Sequence, residues 1–342
     1  MTHTMKIRLV LFAALIFGMT PAWVSAQSKV GTTTAQFLSI PVGGKAIAMG
    51  GAFTALSGDA TTLYWNPGAT SRNGENSIYA TQTNWLVGSV HQWLGVQVMI
   101  TRQDAVGLSF NNLDYGGREK VTTVAEPDGT GEFWNASDLA MALTYSRNLT
   151  DRFSIGGSLK YITQQIWHES ASGMAVDLGL LFITQFNGLR ISATLTNFGG
   201  ELQMDGRDLL NRIDIAPDDE GNNETIVARL KTGSWPIPLT FHVGMAMPVI
   251  TQQNLKATLA ADAIRPTDNT ETLSVGGEVE LFNIMSLRGG YQTLFREDAE
   301  SGLTLGFGVK VPNPYANIAF DYSYQDFGLF DDIQTAGIGV GF

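Results

Sequence analysis

The sequence contains no cysteine, which excludes disulfide cross-links, thiolate metal sites and a lipidated cysteine anchor. Charge is scarce as well. Only 15% of residues are charged, and the basic side is the smaller one, with 21 Lys+Arg against 32 Asp+Glu. That surplus of acid is the wrong sign for a nucleic-acid partner. Long apolar runs are also missing. Beyond residue 26 nothing approaches the roughly 20 consecutive apolar residues of a membrane helix, although 44% of the chain is hydrophobic. No Pro/Ser-rich run, charge block or shift in composition marks a linker, so the 342 residues do not divide into two soluble domains.

Catalytic patterns are equally thin. His3, His91, His168 and His242 lie on separate segments without metal-ligand spacing. There is no nucleophile elbow, and the many serines and threonines have no evident base. Gly43-Gly44-Lys45-Ala46 lacks the glycine spacing and following hydroxyl of a phosphate loop. The acidic run from Asp205 to Glu224 lacks EF-hand spacing and reads as a solvated loop. The expectation is a protein that is not an enzyme and that needs no metal or cofactor.

Residues 1–26 read as a cleaved targeting segment, with Lys6 and Arg8, an apolar stretch from Leu9 to Met19 and the small-residue end Val24-Ser25-Ala26. The apolar stretch is too short to span a bilayer as a helix. Its removal takes two of the 21 basic residues and no acid, leaving 19 against 32 and a net charge of −13.

What the chain does have is alternation. Ile318, Phe320, Tyr322 and Tyr324 share one face of a strand while Asn317, Ala319, Asp321 and Ser323 share the other. The same period appears from Leu303 to Val311 and from Leu239 to Val249. Counted this way, strands fall near 76–84, 90–100, 105–115, 139–149, 153–166, 173–184, 189–199, 238–249, 255–264, 271–281, 285–294, 302–311, 316–327 and 332–342. The connections after even-numbered strands are short. The two longest, 116–138 and 200–237, both follow odd-numbered strands and so belong to one rim. An even count with sorted loops is the pattern of a transmembrane antiparallel β-barrel of about 14 strands, with short periplasmic turns and long external loops. Its apolar face looks to lipid and its small or polar face to the lumen. The lumen set is then Lys160, Asp177, His242, Lys256, Asp262, Glu278, Glu280, Arg288, Lys310 and Asp321, with both signs present for mutual pairing. Trp85, Phe153, Trp167 and Phe327 stand near strand ends, where aromatic girdles form, though each alone reads as an ordinary packing residue. The last strand ends on Phe342, like the signal read by the outer-membrane assembly machinery.

Ahead of the strands, residues 27–75 form a glycine-rich segment that is neither clearly helical nor strand-like. Gly43-Gly44 and Gly50-Gly51 bracket a short apolar stretch, and Asn66-Pro67-Gly68 reads as a tight turn. Such a segment needs a surface to pack against, and the mouth of the barrel, residues 76–342, supplies one. It is expected to be a hatch.

The hatch also carries a resemblance. Ala35-Gln36-Phe37-Leu38, Gly43-Gly44-Lys45-Ala46, Met49-Gly50-Gly51-Ala52-Phe53, Asp59-Ala60 and Trp65-Asn66-Pro67-Gly68 resemble the amino-terminal signature of the PorV/PorQ family of outer-membrane proteins. Further matching stretches run around Leu113–Gly116, Pro127–Gly131 and Tyr145–Gly157. The resemblance implies a FadL-like barrel with an internal hatch. It also implies association with type IX protein secretion, where the translocon and secreted cargo domains would dock on the long external loops. The alternative is a FadL-like channel for hydrophobic small molecules, gated by the hatch, with Phe37, Leu38, Ile40 and Phe53 lining a ligand pocket and Gly50, Gly51, Trp65, Asn66 and Pro67 shaping it. A barrel with no client at all is the third reading.

Overall fold

Alternating strands with one greasy and one small or polar face satisfy every backbone hydrogen bond only by closing on themselves. They do so in the computed structural model, which describes residues 30–214, 226–296, 299–313, 315–330 and 332–342. The first seven barrel strands are β1 (Ser77–Asn84), β2 (Val90–Met99), β3 (Asp104–Asp114), β4 (Ala136–Asn148), β5 (Phe153–Ile166), β6 (Glu169–Ile183) and β7 (Arg190–Gly199). The second seven are β8 (Thr240–Thr251), β9 (Leu255–Pro266), β10 (Thr272–Leu281), β11 (Met285–Leu294), β12 (Leu303–Pro312), β13 (Asn317–Gln325) and β14 (Ile333–Gly341). Each pairs antiparallel with its sequence neighbours, and β14 pairs with β1 from Ser77↔Gly341 to Asn84↔Gln334. The result is a closed 14-strand antiparallel barrel. Asn76 and Phe342 extend that last seam by a reciprocal pair of backbone hydrogen bonds.

The outer face is a band of exposed apolar side chains, among them Leu94, Leu108, Leu143, Leu159, Leu178, Leu305, Phe307 and Ile318. A continuous band of this kind is far larger than a water-soluble surface tolerates. Met245 and Met247 depart from the pattern. They lie on the outward face of β8 yet are buried in a cluster with Leu189, Ala257 and Ala261, beside a bulge at Pro248–Ile250.

Several expectations are corrected by the structure. Strands β4 and β6 begin at Ala136 and Glu169, earlier than their alternation indicates, because β5 and β6 meet through the two-residue turn Trp167-His168. Trp85 and Phe327 do not belong to a lipid-facing girdle. Their rings meet edge to face at 5.7 Å and line a groove of the barrel mouth, because Trp85 continues the inward register of Thr81 and Thr83. The long loops are partly ordered by small ladders, Glu119–Lys120 with Phe133–Trp134 and Leu210–Ile213 with Ile226–Arg229. Asp205, expected in a solvated loop, pairs its backbone with Ser170 of β6 and its carboxylate with Arg229. The targeting segment 1–26 and the acidic residues Asp218 to Glu224 lie outside the described residues.

Inside the barrel sit the short helices α1 (Gly44–Ala48) and α2 (Thr62–Trp65), with tight turns at Gln36–Ser39 and Pro67–Arg72. The expected reversal at Asn66-Pro67-Gly68 is instead the start of the second of these turns. Asn66 caps it by accepting the Gly68 N–H at 2.9 Å, and proline stands at the first position, where no N–H is needed. Helices of four and five residues do not persist alone. Wall contacts hold them: Ala46, Met49, Phe53 and Trp65 form one core with Leu181, Ala246 and Ala260 of the wall.

Candidate functional site

The hatch divides the barrel interior into three spaces. Outermost is an apolar groove of about 690 Å³ between Trp85, Val87, Leu113, Tyr115 and Phe327 of the rim and Phe37 and Ile40 of the hatch. Next is an inner cavity of about 270 Å³, walled by Leu38, Gly50, Gly51, Tyr64 and Trp65 of the hatch and by Lys160, Asn197 and His242 of the barrel. On the opposite side lies a polar vestibule of about 280 Å³ lined by Lys45, Asp59, Glu75, Arg288, Lys310 and Asp321. Gln36 and Ser39 border both the groove and the cavity, so the single turn Gln36–Ser39 is the partition between them.

The partition is held by few bonds. Ala35 enters it with φ 53, and the Tyr64 hydroxyl donates to the carbonyls of Leu38 and Ile40 at 3.1 and 2.8 Å. Burial pushes the Tyr64 phenol well above its ordinary range, so the hydroxyl stays a donor. Asp268, in the loop after β9, accepts from Thr33 and Gln36, both at 2.5 Å. Tyr64→Phe removes one donor shared by two carbonyls, worth about 1 kcal/mol. Amide hydrogen exchange at residues 36–40 is expected to accelerate roughly fivefold, with exchange in β1–β14 unchanged; equal protection in the variant would show that the tyrosine does not hold the partition.

Below the partition, the hatch is seated on two glycine seams. Met49-Gly50 lies on Gly276 and Gly290, paired neighbours of β10 and β11, and Asn66-Pro67-Gly68 lies on Gly156 and Gly179 of β5 and β6. Asp262 holds the next turn by accepting the N–H groups of Phe53 and Thr54 at 3.1 and 3.0 Å, while the Thr54 and Ser192 hydroxyls meet at 2.9 Å. A charge network ties α1 to the wall it packs against: Lys45 reaches Glu278 at 3.2 Å, Glu278 takes Arg288 at 2.6 Å, and Arg288 continues to Asp321. Tyr79 donates to the second oxygen of Asp321 at 2.8 Å. At the edge of this network desolvation pushes the Asp59 carboxyl above its ordinary range, against hydrogen bonds from Thr61 and the charge of Lys45.

The sequence-derived lumen set thus separates into groups. Glu278, Arg288 and Asp321 form the network, Lys310 lines the vestibule, and Lys256 pairs with Glu280 at 3.1 Å on an exposed rim. Lys160 and Asp177 pair at 2.7 Å beside the inner cavity. They close a bulge in β7, where Thr196 and Asn197 together oppose Asp177. Asn197 takes φ 60, its N–H donates to Asp177 at 2.8 Å, and its side-chain oxygen accepts from Lys160 at 2.7 Å. Phe53, expected to line a ligand pocket, is enclosed with Trp65 and Ala52 between hatch and wall, because the turn that Asp262 grips points its ring into that core. Asn197, Asp268 and Gln292 border the cavity without any sequence signal: a bulge, a loop and a strand end carry no periodic mark. Among the described residues no three potential metal ligands converge.

No family model matches the chain, and no curated protein matches it. Solved structures do. The chain is similar to the CymD monoaromatic hydrocarbon channel, with a TM-score of 0.57 and 12% identity over 88% of this chain and 96% of that one. It is similar to the toluene transporter TbuX of Ralstonia pickettii, TM-score 0.51 and 12% identity, over 88% and 97% of the two chains. Against the toluene transporter TodX of Pseudomonas putida the TM-score is 0.52 with 14% identity, over 88% and 96%. At these identities the likeness is one of fold, and the fold is the FadL-like closed barrel.

Proposed function

We propose that this protein is an outer-membrane channel that admits hydrophobic small molecules and releases them past the hatch. The observation that carries the reading is the apolar groove at the rim, separated from an inner cavity by one turn of the hatch. A solute leaves water for the groove at roughly 25 cal/mol per Å² of apolar surface buried. Displacement of the Gln36–Ser39 turn then admits it to the cavity, and movement of the hatch off its seams opens the way onward. The exposed apolar band supports insertion in a membrane, and the 14-strand architecture supports the bacterial outer membrane as its location. The similar structures, a hydrocarbon channel and a toluene transporter, favour the same reading. The secretion role implied by the PorV/PorQ resemblance rests on that resemblance alone.

The absence of cysteine makes a direct test available. Thr54→Cys with Ser192→Cys places two sulfurs where hydroxyls already stand 2.9 Å apart, so oxidation pins hatch to wall. In liposomes, uptake of a radiolabelled alkylbenzene by the oxidised variant is expected to fall to the protein-free rate and to recover on reduction. Uptake that is unaffected by oxidation, or absent from the unaltered protein, would overturn the channel reading.

A further inference from the structure

The inner cavity is not purely apolar. His242 lines it from β8 without a hydrogen bond to any described residue; its Nδ1 has no accessible surface, so Nε2 is the ring nitrogen that a ligand in the cavity can reach. Buried polar atoms are normally satisfied, and an orphan costs about 1–3 kcal/mol. Thr240, Thr272, Ser274 and Gln292 line the same cavity, together with the apolar Leu38, Tyr64, Trp65, Ile264 and two prolines. The lining therefore offers both hydrogen bonds and rings.

Charge then chooses among polar ligands. The charged side chains of the lining are Lys160 and Asp268. Lys160 is neutralised by Asp177 at 2.7 Å, and that carboxylate is fully buried. Among the described residues the hydrogen-bond donors to Asp268 are neutral, Thr33 and Gln36. A ligand carboxylate would enter next to Asp268 without an unspent cation to receive it, a repulsive arrangement in a weakly screened site. A bare hydrocarbon would leave His242 orphaned. Size sets the remaining limit. A cavity of about 150 Å³ holds one benzene, so about 270 Å³ holds one ring with a short side chain.

We infer that the inner cavity selects a small amphiphile with a neutral hydrogen-bonding group, a phenol, alcohol or ketone, which satisfies His242 while its hydrocarbon part lies against Tyr64 and Trp65. The inference rests on the channel reading and names its substrate class. It also separates this chain from channels whose stated solutes are hydrocarbons.

The test is a matched series, 4-propylphenol, propylbenzene and 4-propylbenzoate, titrated calorimetrically into the purified full chain in detergent. The phenol is expected to bind at least about tenfold more tightly than either of the others, the share of one net hydrogen bond. His242→Phe should abolish that advantage and leave propylbenzene binding within about twofold. Thr272→Val, a milder change to the same wall, should reduce the preference and guards against a misfolded histidine variant. Equal affinity for phenol and hydrocarbon, tighter binding of the carboxylate, or a preference untouched by both substitutions would overturn the inference. Propylbenzene uptake through liposomes with no phenol preference would leave the channel reading standing and sink only this one. No binding and no uptake of any of the three would sink both.

Discussion

Replacing Gly276 and Gly290 together by alanine is expected to unseat the hatch while leaving the barrel closed. A Cβ on Gly276 would stand 2.1 Å from the carbonyl oxygen of Met49, and one on Gly290 would stand 2.3 Å from the nitrogen of Gly50. Both obstacles are backbone, so neither can swing aside as a side chain would. Gly50 is bound as tightly from its own side. It holds φ 68, and a Cβ there would meet the Val275 carbonyl at 2.8 Å and the Tyr291 N–H at 2.9 Å. The seam is therefore backbone on backbone, across two paired strands, with no slack in either direction. Overpacking of this kind costs roughly 1–3 kcal/mol per site. The β10–β11 ladder loses no hydrogen bond, so the cost falls on the hatch.

The measurement is trypsin cleavage at Lys45, on α1, in detergent-solubilised protein that still migrates as a folded barrel. The double variant should be cut at least about tenfold faster than the parent, as the population of the open hatch rises with the lost contact energy. The control lies one residue away. Gly277 and Gly289 are paired on the same two strands but face outward, where an added Cβ would meet the Leu259 and Leu305 side chains first, at 3.2 and 3.6 Å, and backbone no nearer than 3.7 Å. Alanine at those two positions should leave the cleavage rate unchanged. If the inward pair proved as silent as the outward pair, the hatch would not be held by this seam.

The same glycines illustrate how far the sequence could be read. Alternation along β12 and β13 is legible because lipid and lumen demand opposite chemistry on the two faces of every strand, and Thr304, Gly308, Asp321 and Ser323 duly point inward. Residues with weak face preference hide their strand: Ser170, Ala171, Ser172 and Gly173 open β6 but show no clear period. Glycine in a barrel strand is equally mute. Gly276 and Gly277 look identical in sequence, yet one floors the hatch and the other faces outward, and only register distinguishes them. The hatch helices were illegible for a related reason, since five residues from Gly44 to Ala48 are ordered by β12 and β13 and not by their own propensity.

The candidate site was legible as a list of inward polar residues and illegible as a set of partnerships. Lys160 and Asp177 meet diagonally, Ser158 being the direct partner of Asp177, and they do so because a bulge at Asn197 needs a carboxylate to replace a ladder bond. His242 stood in the same list with nothing to mark it as a member without a partner inside the barrel. Chemistry along a strand can be assigned from parity, but contacts across the lumen depend on the hatch that fills it.

Arg288 is where such a contact has its largest expected energy. Its side chain is 5% exposed and bridges Glu278 and Asp321, which are 11% and 7% exposed. Arg288→Met keeps most of the volume and removes the only cation on Asp321 among the described residues; Tyr79 remains as its hydrogen-bond donor. Glu278 keeps Lys45, a partly exposed lysine at 3.2 Å. Breaking a buried network by removing one partner typically costs about 3–5 kcal/mol, because the charge left behind is uncompensated. The expected result is a fall of that size in the unfolding free energy, measured by guanidinium denaturation of the detergent-solubilised barrel. The triple variant Arg288→Met, Glu278→Gln and Asp321→Asn removes the charges together with their counter-charge and should recover more than half of the loss, since neutral side chains carry far less desolvation cost. A single variant no less stable than the triple would mean that water from the vestibule already screens the network. The hatch would then owe its seat to glycine packing and to the Asp262 carboxylate, and not to charge.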